Sequence, residues 1–96
     1  MNIDEYLFTC TGEESAEIGQ AVSKILRFGL DDVNPNTNQT NRVELVKEFN
    51  DLVGVLELIQ ERGIELPGLF DRNAIEQKKL KVIKYAEISK KLGRLQ

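Results

Sequence analysis

The sequence predicts an all-α protein, an antiparallel helical bundle of about three to four helices forming one domain over residues 1–96. A bundle this small is expected to be completed by self-association. Three observations lead there. Apolar residues recur at helical spacing through two long segments. Each segment, and the third helical stretch after them, is followed by a glycine able to end a helix, at Gly29, Gly63 and Gly93. The chain has only 96 residues, a size that buries a limited core and favours pairing with a second copy.

Helix 1 is expected from Ile3 to Phe28, with an apolar stripe of Ile3, Leu7, Cys10, Ile18, Ala21, Ile25 and Phe28. A break near Thr11–Gly12 is suggested by Thr11 and Glu14, which fit the Thr-x-x-Glu capping box. Leu30 to Asn41 (LDDVNPNTNQTN) reads as a surface loop. Its Asp31 and Asp32 lack the alternating spacing and closing glutamate of a calcium loop. Asn41 is expected to cap helix 2, which runs from Arg42 to Arg62 with a stripe of Leu45, Phe49, Leu52, Val53, Leu56 and Ile59. Pro67-Gly68 punctuates a turn, after which Asp71 or Asn73 caps helix 3, running to Leu92. Helix 3 is less amphipathic. Ile75, Val82, Ile83 and Ala86 form one face, and Lys78, Lys81 and Tyr85 an adjacent stripe.

Acids interrupt both apolar stripes. Glu14 projects between Leu7 and Ile18, with Glu17 at the stripe's edge. Glu48 projects between Val55 and Ile59, with Asp51 beside Val55 and Leu58. Residues three apart share a helix face, so each pair presents two carboxylates side by side. An unpaired buried carboxylate costs several kcal/mol unless it protonates or meets a cation. Four acids on two helices therefore point to a hard, oxygen-ligated ion, Mg²⁺ or alternatively Mn²⁺, held by Glu14, Glu17, Glu48 and Asp51. The capping box is the competing role for Glu14, but it explains neither Glu17 nor the second pair.

Composition narrows the chemistry. Without histidine, imidazole-dependent triads and zinc-protease motifs are excluded, and with one cysteine a zinc site is disfavoured. Cys10 projects onto the apolar stripe and reads as a small buried hydrophobe. No apolar run reaches membrane-spanning length, and MNIDEYLF is acidic, so a cytoplasmic protein away from membranes is expected. Acids dominate up to Asp71 and bases from Arg72 onward. The basic tail could clamp phosphates, bind nucleic acid or form a solvated face; nucleic acid is the least favoured of the three.

A carboxylate pocket with a divalent ion and no histidine suits attack of water on a phosphoric anhydride. An unliganded carboxylate, Glu13 or Glu14, is placed to take the proton. Lys78, Lys81 and Tyr85 are candidates for contacts with phosphate. Phe28 is a candidate for base stacking, and Arg27 or Lys24 for phosphate contacts, although core packing and solvent exposure are favoured for them.

The pattern Glu13-Glu14-x-x-Glu17, followed some thirty residues later by Glu48-x-x-Asp51, resembles the MazG-type all-α nucleoside triphosphate pyrophosphohydrolases, in particular compact phage-type members. The resemblance covers Thr11 to Gln60 well and the third helix loosely. It implies a four-helix core assembled as a homodimer or homotetramer that cleaves a (d)NTP between its α and β phosphates, releasing nucleoside monophosphate and pyrophosphate. It further implies Mg²⁺ held by Glu14, Glu17, Glu48 and Asp51. The long loop before helix 2 departs from the tighter connections expected of the family. Two other readings stay open: a non-catalytic helical oligomer binding nucleotide or nucleic acid through helix 3, and a family member that binds nucleotides without cleaving them.

Overall fold

The computed structural model describes all residues from Met1 to Gln96. The element order is α1 (Ile3–Phe28), β1 (Val33–Asn34), β2 (Gln39–Thr40), α2 (Asn41–Glu61) and α3 (Arg72–Lys91). The all-α class is as expected, with three helices and one very small sheet. The chain divides into two compact units, Met1–Glu65 and Leu66–Gln96. No helix is long and apolar enough to cross a membrane.

In the first unit α1 and α2 pack as an antiparallel pair. One end is tied where the Asn41 Nδ2 donates to the Gly29 carbonyl at 2.9 Å. The other is tied where the Arg62 Nε donates to Asp4 Oδ1 at 3.0 Å. The seam follows alternating steps of three and four residues. On α1 it runs through Leu7, Thr11, Glu14, Ile18, Ala21 and Ile25, and on α2 through Asn41, Leu45, Glu48, Leu52, Val55 and Ile59. All twelve are buried or half-buried, as side chains that meet along a 3–4 repeat should be. Ile59 is completely enclosed, with Leu7 and Ala21 the other buried apolar residues. Glu14 and Glu48 thus occupy seam positions where a plain hairpin would carry leucine.

Several local expectations are corrected. Helix α1 is not broken at Thr11–Gly12. Thr11 lies mid-helix, and its hydroxyl donates to the Leu7 carbonyl at 3.0 Å, four residues back. Glu14 is therefore free of the capping-box role. The N-cap is Asn2, which accepts from the Glu5 N–H at 2.8 Å. The start of α2 also differs. Thr40 is its cap, accepting from the Val43 N–H at 3.3 Å, because the Asn41 side chain is turned to Gly29. Ile3, Phe28 and Phe49, placed on the stripes, are about half exposed or more, Phe28 at 60%. The stripes are wider than the single seam that α1 and α2 offer each other.

The Asn/Asp-rich loop contains an antiparallel hairpin, Val33 opposite Thr40 and Asn34 opposite Gln39. Asn38 closes it with φ 60°, a left-handed conformation that asparagine tolerates better than most residues, and donates its N–H to the Asn34 carbonyl at 2.7 Å. The Asn41 and Arg42 N–H groups, which a helix start leaves without helical partners, donate to the carbonyls of Asp32 and Leu30. Arg42 also pairs with Asp31 at 3.0 Å.

In the second unit Asp71 caps α3 by accepting from the Ala74 N–H at 2.8 Å, one of the two caps expected. Nothing on α3 is buried, and it carries a surface network of Arg72, Glu76 and Lys79.

Candidate metal centre

The α1–α2 seam brings Glu14, Glu17 and Glu48 together. One carboxylate oxygen from each lies within 4.8 Å of the others. Helical geometry explains the convergence. Glu14 and Glu17 are stacked one turn apart on α1, and Glu48 faces them from the antiparallel α2. Two oxygens on opposite sides of one ion are separated by about 4.2 Å for Mg²⁺ and about 4.8 Å for Ca²⁺, given usual ligand distances. The triad is therefore already on the scale of a single coordination shell.

Burial sharpens the case. Glu14 Oε2 and Glu48 Oε2 are both buried and neither has a hydrogen-bond partner. Such atoms are rare in folded proteins and call for a compensating proton or cation. The Glu48 side chain is 20% exposed. Its acidity is weakened, above all by the Glu17 carboxyl in hydrogen-bonding position and then by desolvation, with Lys47 opposing both. Like charges forced together hold a proton more firmly. The donors are all hard oxygens, which suits Mg²⁺, Mn²⁺ or Ca²⁺. The residues present fit a divalent ion.

Asp51 and Glu13 stand outside this triad. Asp51, one turn beyond Glu48, accepts from the Lys47 ammonium at 2.9 Å. That ammonium also lies 3.8 Å from Glu48 Oε1 and is the cation beside the cluster. Glu13 is exposed on α1 next to Glu14. Lys78, Lys81 and Tyr85 do share one face of α3, where they line a shallow depression with Gln77, Leu80 and Lys84.

Sequence reasoning missed Glu44. It lies one turn before Glu48 and, with Glu17, Gln20, Ala21, Lys24 and Glu48, lines a pocket of about 220 Å³. Glu44 Oε1 accepts from Thr37 Oγ1 at 2.6 Å and from Asn34 Nδ2 at 3.1 Å, fastening the hairpin to α2. The i,i+4 spacing of Glu44 and Glu48 was a legible signal; the hairpin that engages Glu44 was not.

No protein-family model, curated protein or solved structure matches the chain.

Proposed function

We propose that the protein is a divalent-cation-dependent nucleotide pyrophosphohydrolase, splitting a (d)NTP into (d)NMP and pyrophosphate. The observation that carries this reading is the convergence of Glu14, Glu17 and Glu48 with two unpartnered buried oxygens. The resemblance of Glu13–Glu17 and Glu48–Asp51 to the MazG-type motif agrees with it.

Glu14, Glu17 and Glu48 would hold Mg²⁺ or Mn²⁺, with Asp51 as a fourth ligand once released from Lys47. A bound divalent ion would neutralise phosphate charge and acidify water. Glu13, one turn before Glu17 and open to solvent, takes the proton from the attacking water. The water oxygen bonds to the α phosphorus, the bond from that phosphorus to the α–β bridging oxygen breaks, and pyrophosphate leaves with the electron pair. Lys24, on the wall of the acidic pocket, offers a positive charge to the polyphosphate. Lys78, Lys81 and Tyr85, on α3 of the second unit, offer two ammonium groups and a phenol hydroxyl of the kind that suits a phosphate.

Self-association belongs to the same reading. Val46 and Phe49 on α2 and Leu26 on α1 remain largely exposed, an apolar surface that a second copy would cover.

The test is pyrophosphate release from a panel of canonical and modified (d)NTPs with Mg²⁺ or Mn²⁺. Release that disappears in Glu48→Gln supports the proposal. Silence across the panel from a protein that still binds the ion rejects hydrolysis in favour of nucleotide binding alone. One observation favours a second reading: Lys78, Lys81 and Lys84 lie with Tyr85 on one face of α3, a pattern suited to a polyanion. Salt-sensitive binding of a polynucleotide without hydrolysis would select it.

A further inference from the structure

Beside the acidic pocket lies a second cavity, of about 320 Å³, between the end of α1, the hairpin and the start of α2. Its walls include Lys24, Phe28, Asp32, Asn34, Asn36 and Asn41. We infer that this cavity is a nucleoside pocket, with Phe28 as its stacking platform and the hairpin asparagines reading the base edge. This inference rests on the proposed hydrolase for the direction in which the phosphates run.

Four observations converge. Phe28 is a large aromatic side chain left 60% exposed at a cavity wall, with the Arg27 guanidinium over its ring at 5.2 Å from the centroid. A flat apolar ring, with a cation beside it, is what a nucleobase stacks on. Carboxamides carry a donor and an acceptor side by side, the complement of a base edge. Asn34 and Asn41 spend part of that capacity on Glu44 and Gly29, which holds the pocket in shape. Asn36 contributes its main-chain N–H to the turn, donating to Asn34 Oδ1 at 2.9 Å, and leaves its carboxamide for a ligand.

The third observation is rigidity. The hairpin is fastened by Glu44 to α2, by Arg42 to Asp31 and by Asn41 to Gly29, so the pocket exists before ligand arrives. The fourth is Lys24, which lines both this cavity and the acidic pocket containing Glu17 and Glu48. A nucleotide with its base against Phe28 would pass its phosphates by the Lys24 ammonium toward the carboxylates. The volume lies at the small end of ligand sites, the scale of a nucleoside rather than a larger group.

The test uses the full chain and amide NMR spectra. Wild type, Phe28→Ala and Glu48→Gln are titrated with free nucleosides, with α,β-imido nucleoside triphosphates plus Mg²⁺, and with inorganic tripolyphosphate plus Mg²⁺. At least one nucleoside should shift the amides of Lys24, Phe28, Asn34 and Asn36 in wild type. Phe28→Ala should weaken the matching imido nucleotide about tenfold or more and leave tripolyphosphate unchanged. Glu48→Gln should weaken tripolyphosphate and spare the nucleoside shifts. Absence of hairpin shifts with every nucleoside, or undiminished imido-nucleotide affinity in Phe28→Ala, overturns the pocket, even where pyrophosphate release proves the hydrolase. Nucleoside shifts in a chain that releases no pyrophosphate uphold the pocket and reject the hydrolase. Phe28 is exposed, so its truncation leaves the fold intact.

Discussion

Glu17 and Glu48 bring carboxylate oxygens to within 4.8 Å of each other across the α1–α2 seam, and the Glu48 carboxyl is a weaker acid than an isolated glutamate for it. One proton between two carboxyls is the low-cost arrangement without a metal; a divalent ion is the alternative occupant of the same position.

That relationship sets a pH dependence. Glu48 binds its proton more tightly folded than unfolded, so between its ordinary value of 4.5 and its raised folded value the native state carries more protons. Stability must then fall as pH rises through that window. Metal-free protein should melt at a lower temperature at pH 7 than at pH 5, and Glu48→Gln should flatten the dependence and raise the midpoint at pH 7. Saturating Mg²⁺ or Mn²⁺ should restore wild type but not the variant. Calorimetric melting at both pH values would check this; a Glu48→Gln chain less stable than wild type at pH 7 without metal would contradict it.

Lys47 is the counter-charge already beside the cluster, bonded to Asp51 and close to Glu48. Lys47→Gln should raise affinity for Mn²⁺ by up to about fivefold, the range expected of an exposed ion pair, by lifting a repulsion and freeing Asp51. Asp51→Asn should lower it. Titration calorimetry of the two variants distinguishes Asp51 as a ligand from Asp51 as only a partner of Lys47.

Ile59 and Leu7 are the buried apolar residues near the end of the α1–α2 pair that lies away from β1 and β2. Ile59→Ala should cost about 2–5 kcal/mol, read from the urea midpoint, because it leaves a cavity among neighbours that cannot collapse freely. Metal affinity of the folded fraction should be unchanged, since the lesion lies more than two turns from Glu48 along α2.

Phe49, half exposed on α2, is the side chain on which the proposed self-association can be tested. Phe49→Glu should leave helicity and the metal-induced rise in melting temperature intact while shifting sedimentation toward the monomer. A wild-type chain that sediments as a monomer at all concentrations would remove self-association from the account.

Much of this was legible beforehand for a physical reason. Both ends of α1, though not its continuity through Thr11–Gly12, and the glycine stops on the first two helices follow from local signals that need no tertiary partner. Glu14 and Glu48 are legible because an acid at a seam position contradicts its surroundings, and Glu17, exposed at the seam's edge, because it lies one turn from Glu14. Asp51 carried the same signature, but its pairing with Lys47 depends on side-chain direction, which spacing alone does not fix. The capping box failed at Thr11 because an intact helix offers no free N–H groups there. Phe28 falls on the stripe by its angle on the helix wheel, yet α2 begins beyond the β-hairpin and leaves Phe28 exposed. The hairpin itself was hidden, since its strands are two residues long and have no period to read.

The claim beneath the rest is that α1 and α2 together hold one divalent ion. Calorimetric titration of Mn²⁺ into metal-free wild type, Glu14→Gln and Glu48→Gln tests it most directly. The account predicts saturable binding near one ion per chain in wild type, weakened at least about tenfold in each variant whose fold is confirmed by circular dichroism. Wild-type protein that takes up no Mn²⁺ or Mg²⁺, or variants that bind as well as wild type, would contradict it.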